Sequence, residues 1–196
     1  MGHIFTPPLD ALVEFCAREL GIEMFVETGT FRGESAAWAA ERFREVITIE
    51  RSPGLYAQSR DNAVHNNIVF RNGHSPDFLP ELTALPKAKL FWLDAHWCGL
   101  DGDSAGAECQ CAILAELSAL RGSASDDVIM IDDFHMFAVP PPPPFRADEW
   151  PSLDELFSLI RELPQPKIFV VGNALVLVGG RRVQPLVEFL IAHCTV

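Results

Sequence analysis

Met24-Phe25-Val26-Glu27-Thr28-Gly29-Thr30-Phe31-Arg32-Gly33-Glu34-Ser35 decides the fold, because an apolar run ends in an acidic residue, passes two glycines and then opens a helical pattern. Gly29 can turn where a side chain would clash. Gly33 lets a helix begin close to the strand, leaving backbone N–H groups aimed at whatever docks above. Glu27, at the carboxyl end of the strand, would repel a pyrophosphate, yet it could accept a hydrogen bond from a cationic amino group and neutralise it. The stretch predicts a strand, a turn and a helix that together hold a nucleoside-like cofactor carrying positive charge.

Outward from this stretch the chain alternates between apolar runs and helical patterns. Leu9, Leu12, Val13, Cys16 and Leu20 share one helical face that ends at Gly21. Strands are expected near 22–28, at Val46–Glu50, at Ile68–Arg71, at Lys89–Asp94 and at Asp127–Asp133, with helices at about Gly33–Phe43 and after Pro53. Continuous apolar strands between helices predict a parallel sheet covered on both faces. Lys167–Val171 and Ala174–Val178 are separated only by Gly172-Asn173, a tight hairpin signal. The fold class is therefore α/β, a Rossmann-like doubly wound sheet of seven strands, mostly parallel, closed by a C-terminal antiparallel hairpin. The whole of 1–196 reads as one domain.

Phe134–Trp150 carries five consecutive prolines, Pro140–Pro144. Such a run predicts polyproline II about 15 Å long, at roughly 3 Å per residue. It reads either as a rigid connector or as a lid wall over the ligand edge of the sheet. Beyond it, Ser152 and Glu155 have capping-box spacing, and Leu153, Leu156, Phe157 and Ile160 form the apolar face of the next helix. The pattern Val183, Leu186, Val187, Leu190 and Ile191 makes a C-terminal helix that buries against its own sheet or against a second copy in a homo-oligomer.

The bulk numbers narrow the partners. In 196 residues with 48% hydrophobic side chains, 27 acidic residues against 15 basic ones leave a net charge of -12. That balance disfavours nucleic acid and anionic membrane surfaces. No apolar run reaches the roughly 20 residues of a membrane helix, and no secretory signal is recognised, so a cytoplasmic protein is expected. Cys16, Cys98, Cys109, Cys111 and Cys194 are odd in number and scattered, which predicts reduced thiols.

Acidic residues recur at the ends of the predicted strands. Glu50 closes the second strand 23 residues after Glu27, where nucleoside-binding folds place an acid to accept ribose hydroxyls. Asp94 ends the fourth strand, and Asp132 with Asp133 ends the fifth. Neighbouring parallel strands would bring these three carboxylates to one rim, where they repel one another unless protonated or bound to a cation. Hard oxygen ligands of this kind suit Mg²⁺, although contact with the cofactor or with loop amides would also explain them. His96, two residues beyond Asp94, could remove a hydroxyl proton, since an unperturbed imidazole titrates near roughly 6.5. His135 competes for that role.

Taken in order, Val26–Ser35, Ile49-Glu50, Gly73-His74-Ser75, Leu93-Asp94-Ala95-His96 and Ile131-Asp132-Asp133 resemble the class I S-adenosylmethionine-dependent methyltransferases, and the resemblance covers most of the chain. The first block has the looser E-x-G-x-x-x-G form. The resemblance implies a cofactor site of Glu27, Thr28, Gly29, Thr30, Gly33, Glu34 and Ser35, then Glu50 with Arg51, Gly73, His74 and Ser75 beside the adenine, and Asp94. An Asp commonly follows that glycine in the family, so His74 is a departure. The carboxylates resemble those of metal-dependent O-methyltransferases acting on macrolide sugars and catechols, which implies Mg²⁺ held by Asp94, Asp132 and Asp133. The expected activity is methyl transfer from S-adenosylmethionine to an oxygen of a small-molecule acceptor, with His96, Asp94 and His135 as the catalytic candidates. An NAD-dependent oxidoreductase is the alternative enzyme, disfavoured by Glu27 in the glycine turn; a module that binds the cofactor without catalysis is the third reading.

His96, Cys98, Cys109 and Cys111 also admit a zinc reading, but the H-x-C and C-x-C spacings depart from paired C-x₂-C ligands. Between them, Gly99–Gly106 reads as a mobile loop whose Asp101 and Asp103 lack the other positions of a calcium loop. Trp92 reads as core, while Trp97 and Trp150 are candidates for the acceptor pocket.

Overall fold

A computed structural model of the chain describes residues 4–99 and 109–193. Asp101, Asp103 and Cys194 lie outside the described residues, so the mobile-loop and calcium-loop readings cannot be placed on them.

The central strand is β1 (Met24–Thr28), every residue of which is buried. It pairs in parallel with β2 (Glu45–Glu50) on one side and β4 (Lys89–Leu93) on the other. β3 (Ile68–Asn72) continues the sheet beyond β2, and β5 (Val128–Ile131) continues it beyond β4, again in parallel. The antiparallel hairpin of β6 (Lys167–Val171) and β7 (Ala174–Val178) completes seven strands in the order β3-β2-β1-β4-β5-β7-β6. Its turn is Gly172-Asn173, as the sequence predicts.

Side-chain alternation on these strands feeds two apolar layers. Phe25, Val46, Leu90, Trp92, Val128 and Met130 pack with α1 (Leu9–Arg18), α2 (Glu34–Ala40) and α8 (Val183–His193). Val26, Ile47, Phe91, Leu93 and Ile129 pack on the other face with α4 (Ser75–Thr83), α5 (Ile113–Ala119) and α7 (Leu153–Ile160). The helix α3 (Pro53–Asp61) joins β2 to β3 and is capped by the Ser52 side chain. Helices thus cover both faces. Leu186 of α8 is buried in the core of its own chain, whereas Ile191 is 65% exposed.

Local chemistry accounts for the ends of these elements and for three differences from expectation. The capping box forms: the Ser152 hydroxyl accepts from the Glu155 amide while Glu155 accepts from the Ser152 amide, at 3.3 and 2.9 Å. The helix α2 stops at Ala40 rather than Phe43, because the chain turns there and tucks the Phe43 ring against Phe25, with centroids 5.3 Å apart. A short helix, α6 (His135–Ala138), opens the segment expected to be all loop and buries Met136 and Phe137. The proline run is not one continuous polyproline rod: Phe145 N–H bonds the Pro142 carbonyl at 3.1 Å, and the resulting turn brings the chain back toward the sheet.

The strand order reverses direction between β1 and β4, where the connections leave to opposite sides. In doubly wound sheets a ligand crevice opens outside the carboxyl ends of the strands at such a point. Gly29, Glu50, Asp94 and Asp132 all follow or close strands there.

Candidate active site

A cavity of about 210 Å³ occupies this crevice. Its lining includes Gly29, Thr30, Glu34, Ser35, Glu50, Arg51, Gly73, His74, Ser75, Asp94, His96, Asp132 and Asp133. These residues belong to the ends of five different strands and to the helices that follow, so sheet register alone assembles them.

The floor is the glycine turn. Gly29 has φ +83°, and a Cβ there would run into the Asp94 carbonyl, with the Asp94 carbonyl carbon only 2.9 Å away. A side chain would therefore separate β1 from the end of β4. Gly33 caps α2 in the left-handed region at φ +80°. Phe31, also at positive φ, aims its N–H at Oε2 of Glu50 at 2.8 Å, and Ser52 N–H reaches Oε1 at 2.8 Å. Each Glu50 oxygen keeps acceptor capacity toward the cavity. Burial pushes the Glu50 carboxyl up, against the opposing pull of the Ser52, Phe31 and Arg51 amides.

Glu27 departs from the expectation of a cavity carboxylate. It is buried beneath the floor, on the central strand, and accepts from the Thr48 hydroxyl at 2.6 Å. Burial, opposed by the Thr48 bond and reinforced by the charges of Asp94 and Glu50, pushes its pKa up to about 8. Ser35, which lines the cavity, also bonds Glu27 and links it to the site. Thr28 is likewise buried, its hydroxyl accepting from Asp94 N–H at 3.2 Å, and neither Thr28 nor Gly33 is among the lining residues.

On the adenine-expected side, Ser75 is buried and donates to the buried carboxyl of Glu116, a brace that the sequence reading missed. The Nε2 atom of His74 is buried in the wall with no hydrogen-bond partner. A ring nitrogen left this way requires a ligand atom or a water to satisfy it.

The other end of the cavity holds the carboxylates. His96 stands between two of them, with Nδ1 3.2 Å from Oδ1 of Asp94 and Nε2 2.9 Å from Oδ2 of Asp133. Burial opposes charge on this ring, but the Asp133 bond and the charges of Asp94, Asp133 and Asp132 outweigh it and raise the pKa to about 9. His96 is thus not the isolated imidazole of the sequence expectation: its two ring nitrogens face the oxygens of Asp94 and Asp133, and their charges favour its protonated form. Asp132 is pushed up to about 8 by burial and by Asp94 and Asp133. Asp133 moves the other way, since the hydrogen bond and charge of His96 outweigh its burial.

His135 does not line the cavity. It is exposed on the first turn of α6 and bonded to Asn173, so its candidacy as the base fails on position. Asn173, read from sequence only as a hairpin turn, is a site residue by support: its amide donates to Oδ1 of Asp133 at 2.9 Å, and its carbonyl accepts from Phe134 N–H at 2.8 Å.

The Mg²⁺ expectation meets a donor set that does not fit. Oδ1 of Asp132 accepts from Asp133 N–H at 2.7 Å, while Asp133 is bonded through both oxygens, to His96 and to Asn173. Among the described residues no group of three His, Cys, Asp or Glu side chains converges as a metal site. The zinc reading meets the same obstacle. Cys98 and Cys109 line the cavity, and Cys111 pairs with His96 across an antiparallel bridge. The four cysteines described are free thiols. Trp97 lines the cavity and meets Phe145 edge-on at 5.6 Å; Trp150 is buried behind it; Trp92 is core.

No family model and no curated protein matches the chain. Solved structures do. The chain is similar to the O-methyltransferase TomG from Streptomyces achromogenes in complex with SAM, at 18% identity over 89% of this chain and 81% of that one, with a TM-score of 0.56. It is similar to the O-methyltransferase from Bacillus cereus in complex with SAH, at 17% identity over 88% and 82%, with a TM-score of 0.58. A cofactor-bound protein from MTB is 20% identical over 91% and 83%, with a TM-score of 0.60. Together with the strand order and the terminal hairpin, these likenesses define the fold as that of the class I S-adenosylmethionine-dependent methyltransferases.

Proposed function

We propose that this chain is an S-adenosylmethionine-dependent methyltransferase acting on an oxygen of a small hydroxylated acceptor. The observation that carries the reading is Glu50: a carboxylate at the end of β2, fixed by two backbone amides and open to the same cavity as the Gly29 turn. That arrangement suits a ribose diol, and the carboxylate disfavours a phosphate at the same place.

When bound, S-adenosylmethionine supplies an electrophilic methyl group on a sulfonium. The residues of this chain hold and orient. Glu50 would accept from the ribose hydroxyls, and His74 and Ser75 would flank the base. Glu27, behind Ser35, holds a proton up to about pH 8 and would give it up to leave negative charge below a docked cationic amino group. Asp94, at the junction between the glycine turn and His96, would accept the hydrogen bond and then the proton of the acceptor hydroxyl, the methyl group being supplied by the bound cofactor. Alignment of that oxygen with the methyl group accounts for much of the rate in such a site.

The net charge of -12 favours a neutral or cationic small acceptor over nucleic acid or an anionic membrane. No helix among the described residues is long and apolar enough to cross a membrane. The free thiols support a reducing, cytoplasmic setting.

Calorimetry with S-adenosylmethionine, S-adenosylhomocysteine and NAD tests the reading. Binding of the first two, weakened about 10- to 100-fold by Glu50→Ala, is expected for the loss of charge-assisted hydrogen bonds. Preference for NAD would overturn it in favour of an oxidoreductase; cofactor binding with no methylated product from any hydroxylated acceptor would leave a non-catalytic module.

A further inference from the structure

Gln110 is only 3% exposed, yet it belongs to no helix or strand and does not line the cavity. A side-chain amide buried in that way costs free energy unless its polar atoms are bonded. Its bonds account for its place. The Gln110 carbonyl accepts from Trp97 N–H at 2.8 Å, and Gln110 N–H donates to Oε2 of Glu149 at 2.9 Å. The side-chain Oε1 accepts from Arg146 N–H at 2.8 Å and from the Trp150 indole N–H at 3.4 Å, which uses both lone pairs of one oxygen.

These bonds join three stretches that are far apart in the chain. Trp97 follows β4 and lines the cavity, Gln110 precedes α5, and residues 146–150 end the proline segment. The last stretch is itself closed, since Glu149 N–H bonds the Arg146 carbonyl at 2.9 Å and the Glu149 carboxylate pairs with the Arg146 guanidinium. It meets the Gln110 side chain as a preformed turn. Directly before it, the Phe145 ring lies edge-on to Trp97 and to Trp150, and its Cζ is 3.6 Å from where a Cβ on Gly99 would stand. Phe145 is thereby seated against the run of Trp97, Cys98 and Gly99, whose first two members line the cavity.

We propose that Gln110 is a positioning residue for the acceptor: it pins residues 146–150 to Trp97 and so holds the proline segment as a fixed wall beside the part of the cavity that follows β4. That the wall serves an acceptor rests on the methyltransferase reading. The pin itself does not. Gln110 acts through Trp97 and Phe145, and a wall fixed in advance spares a ligand the cost of ordering it on binding. Without the side-chain carbonyl, the Arg146 amide and the Trp150 indole lose this acceptor, and donors left unsatisfied favour the open form of the segment.

The test is amide hydrogen exchange of the full chain at pH 7, followed by NMR, together with alkylation of Cys98 by iodoacetamide, both without cofactor or acceptor. In the wild type the Arg146 amide, which lies in no helix or strand, should exchange at least about 100-fold more slowly than in a free peptide. Exchange at the free-peptide rate would overturn the proposal, whatever becomes of a variant. Gln110→Leu, of similar size but without the acceptor, should return Arg146 toward the free-peptide rate and speed alkylation of Cys98 at least about tenfold. The amides of β1 should keep their protection, and S-adenosylhomocysteine affinity should stay within about twofold. Gln110→Glu keeps an oxygen for both donors and should retain the wild-type rates. Equal loss of protection across β1, or a Gln110→Leu protein identical to the wild type at Arg146 and Cys98, would overturn the proposal. Failure of the methyltransferase reading would appear as absence of S-adenosylhomocysteine binding by the wild type and leave the exchange and alkylation results unchanged.

Discussion

The Thr48 hydroxyl donates to Oε2 of Glu27 at 2.6 Å, inside the sheet and beneath the cavity floor, and the Thr30 hydroxyl bonds Thr48 at 2.5 Å. The pair follows from register, because Glu27 lies directly opposite Thr48 in the β1–β2 ladder. The hydroxyls of Thr48 and Ser35 do not compensate a buried charge, so burial dominates and Glu27 holds its proton up to about pH 8. The folded-state pKa lies above the ordinary 4.5, so the stability contributed by protonated Glu27 is complete below about 4.5 and is lost as pH rises through about 8. Asp132, raised to about 8, acts in the same sense; His96, raised from 6.5 to about 9, loses its contribution at the upper end of that range. The melting temperature of the unliganded protein should therefore fall from pH 5 to pH 9, and Glu27→Gln should flatten the portion below pH 8. Parallel melting curves for the two proteins across that range would contradict the assignment.

The same residue links cofactor binding to pH. A cationic amino group docked above Ser35 and Glu27 would lower the Glu27 pKa, so binding should release a proton and tighten as pH rises from 6 to 8. Glu27→Gln should weaken binding at pH 8 by about tenfold and remove this pH dependence. Calorimetry in buffers of different ionisation enthalpy measures the proton directly.

Gly29→Ala tests the floor. The new Cβ would meet the backbone of Asp94 and Ala95, which cannot move without separating β1 from β4, and the residue would sit at φ +83°. A loss of about 2 to 4 kcal/mol in denaturant unfolding is expected, from left-handed strain plus a backbone clash. Gly21→Ala is the control: its φ of +62° imposes the strain, but no heavy atom lies within 4 Å of the new carbon. It should cost only about 1 to 2 kcal/mol. Equal losses at the two positions would mean that the Asp94 contact is not what Gly29 provides.

His135 and Asn173 separate chemistry from support. His135 is exposed and outside the cavity, so His135→Ala should change turnover by less than about twofold, as surface changes do. Asn173→Ala removes the amide that orients Asp133, and through Asp133 the His96 ring. A fall in turnover of about 10- to 100-fold with cofactor affinity retained is expected when a reacting group is misaligned. If His135→Ala abolished turnover while Asn173→Ala preserved it, His135 would regain the role of base.

These assignments divide by how far each signal travels along the chain. The strands, the Gly172-Asn173 hairpin and the Ser152 capping box were legible because each is written in a few consecutive residues, as periodicity or turn chemistry. The cluster at the rim was half legible. Asp94, Asp132 and Asp133 announce themselves at strand ends, but the capture of Asp133 by His96 depends on the pairing of Leu93 with Ile131 and on the left-handed backbone of Asp133 at φ +51°. Asn173 reaches Asp133 from 40 residues away, which no local pattern encodes. The burial of Glu27 needed the register against Thr48: parity places its side chain on the face of Phe25, while the carboxyl end of a strand alone indicated the crevice. The fold of the proline run was illegible for a related reason, since the Phe145 ring is drawn back by partners elsewhere in the chain.

Those partners make the final prediction. Phe145 meets Trp97 edge-on at 5.6 Å and Trp150 edge-on at 5.8 Å, while Trp150 also lies 5.6 Å from Phe137 and 5.6 Å from His96. Of the four larger rings, Trp97 lines the cavity, next in sequence to His96, which follows β4. Edge-to-face pairs contribute about 0.5 to 1.5 kcal/mol each, so Phe145→Ala should release Trp97 and loosen the proline segment without disturbing the sheet. The acceptor KM should rise about three- to tenfold, the equivalent of one such pair, while S-adenosylhomocysteine affinity stays within about twofold. Equal losses in both would place the proline segment over the nucleoside instead, and no change in either would leave it a connector.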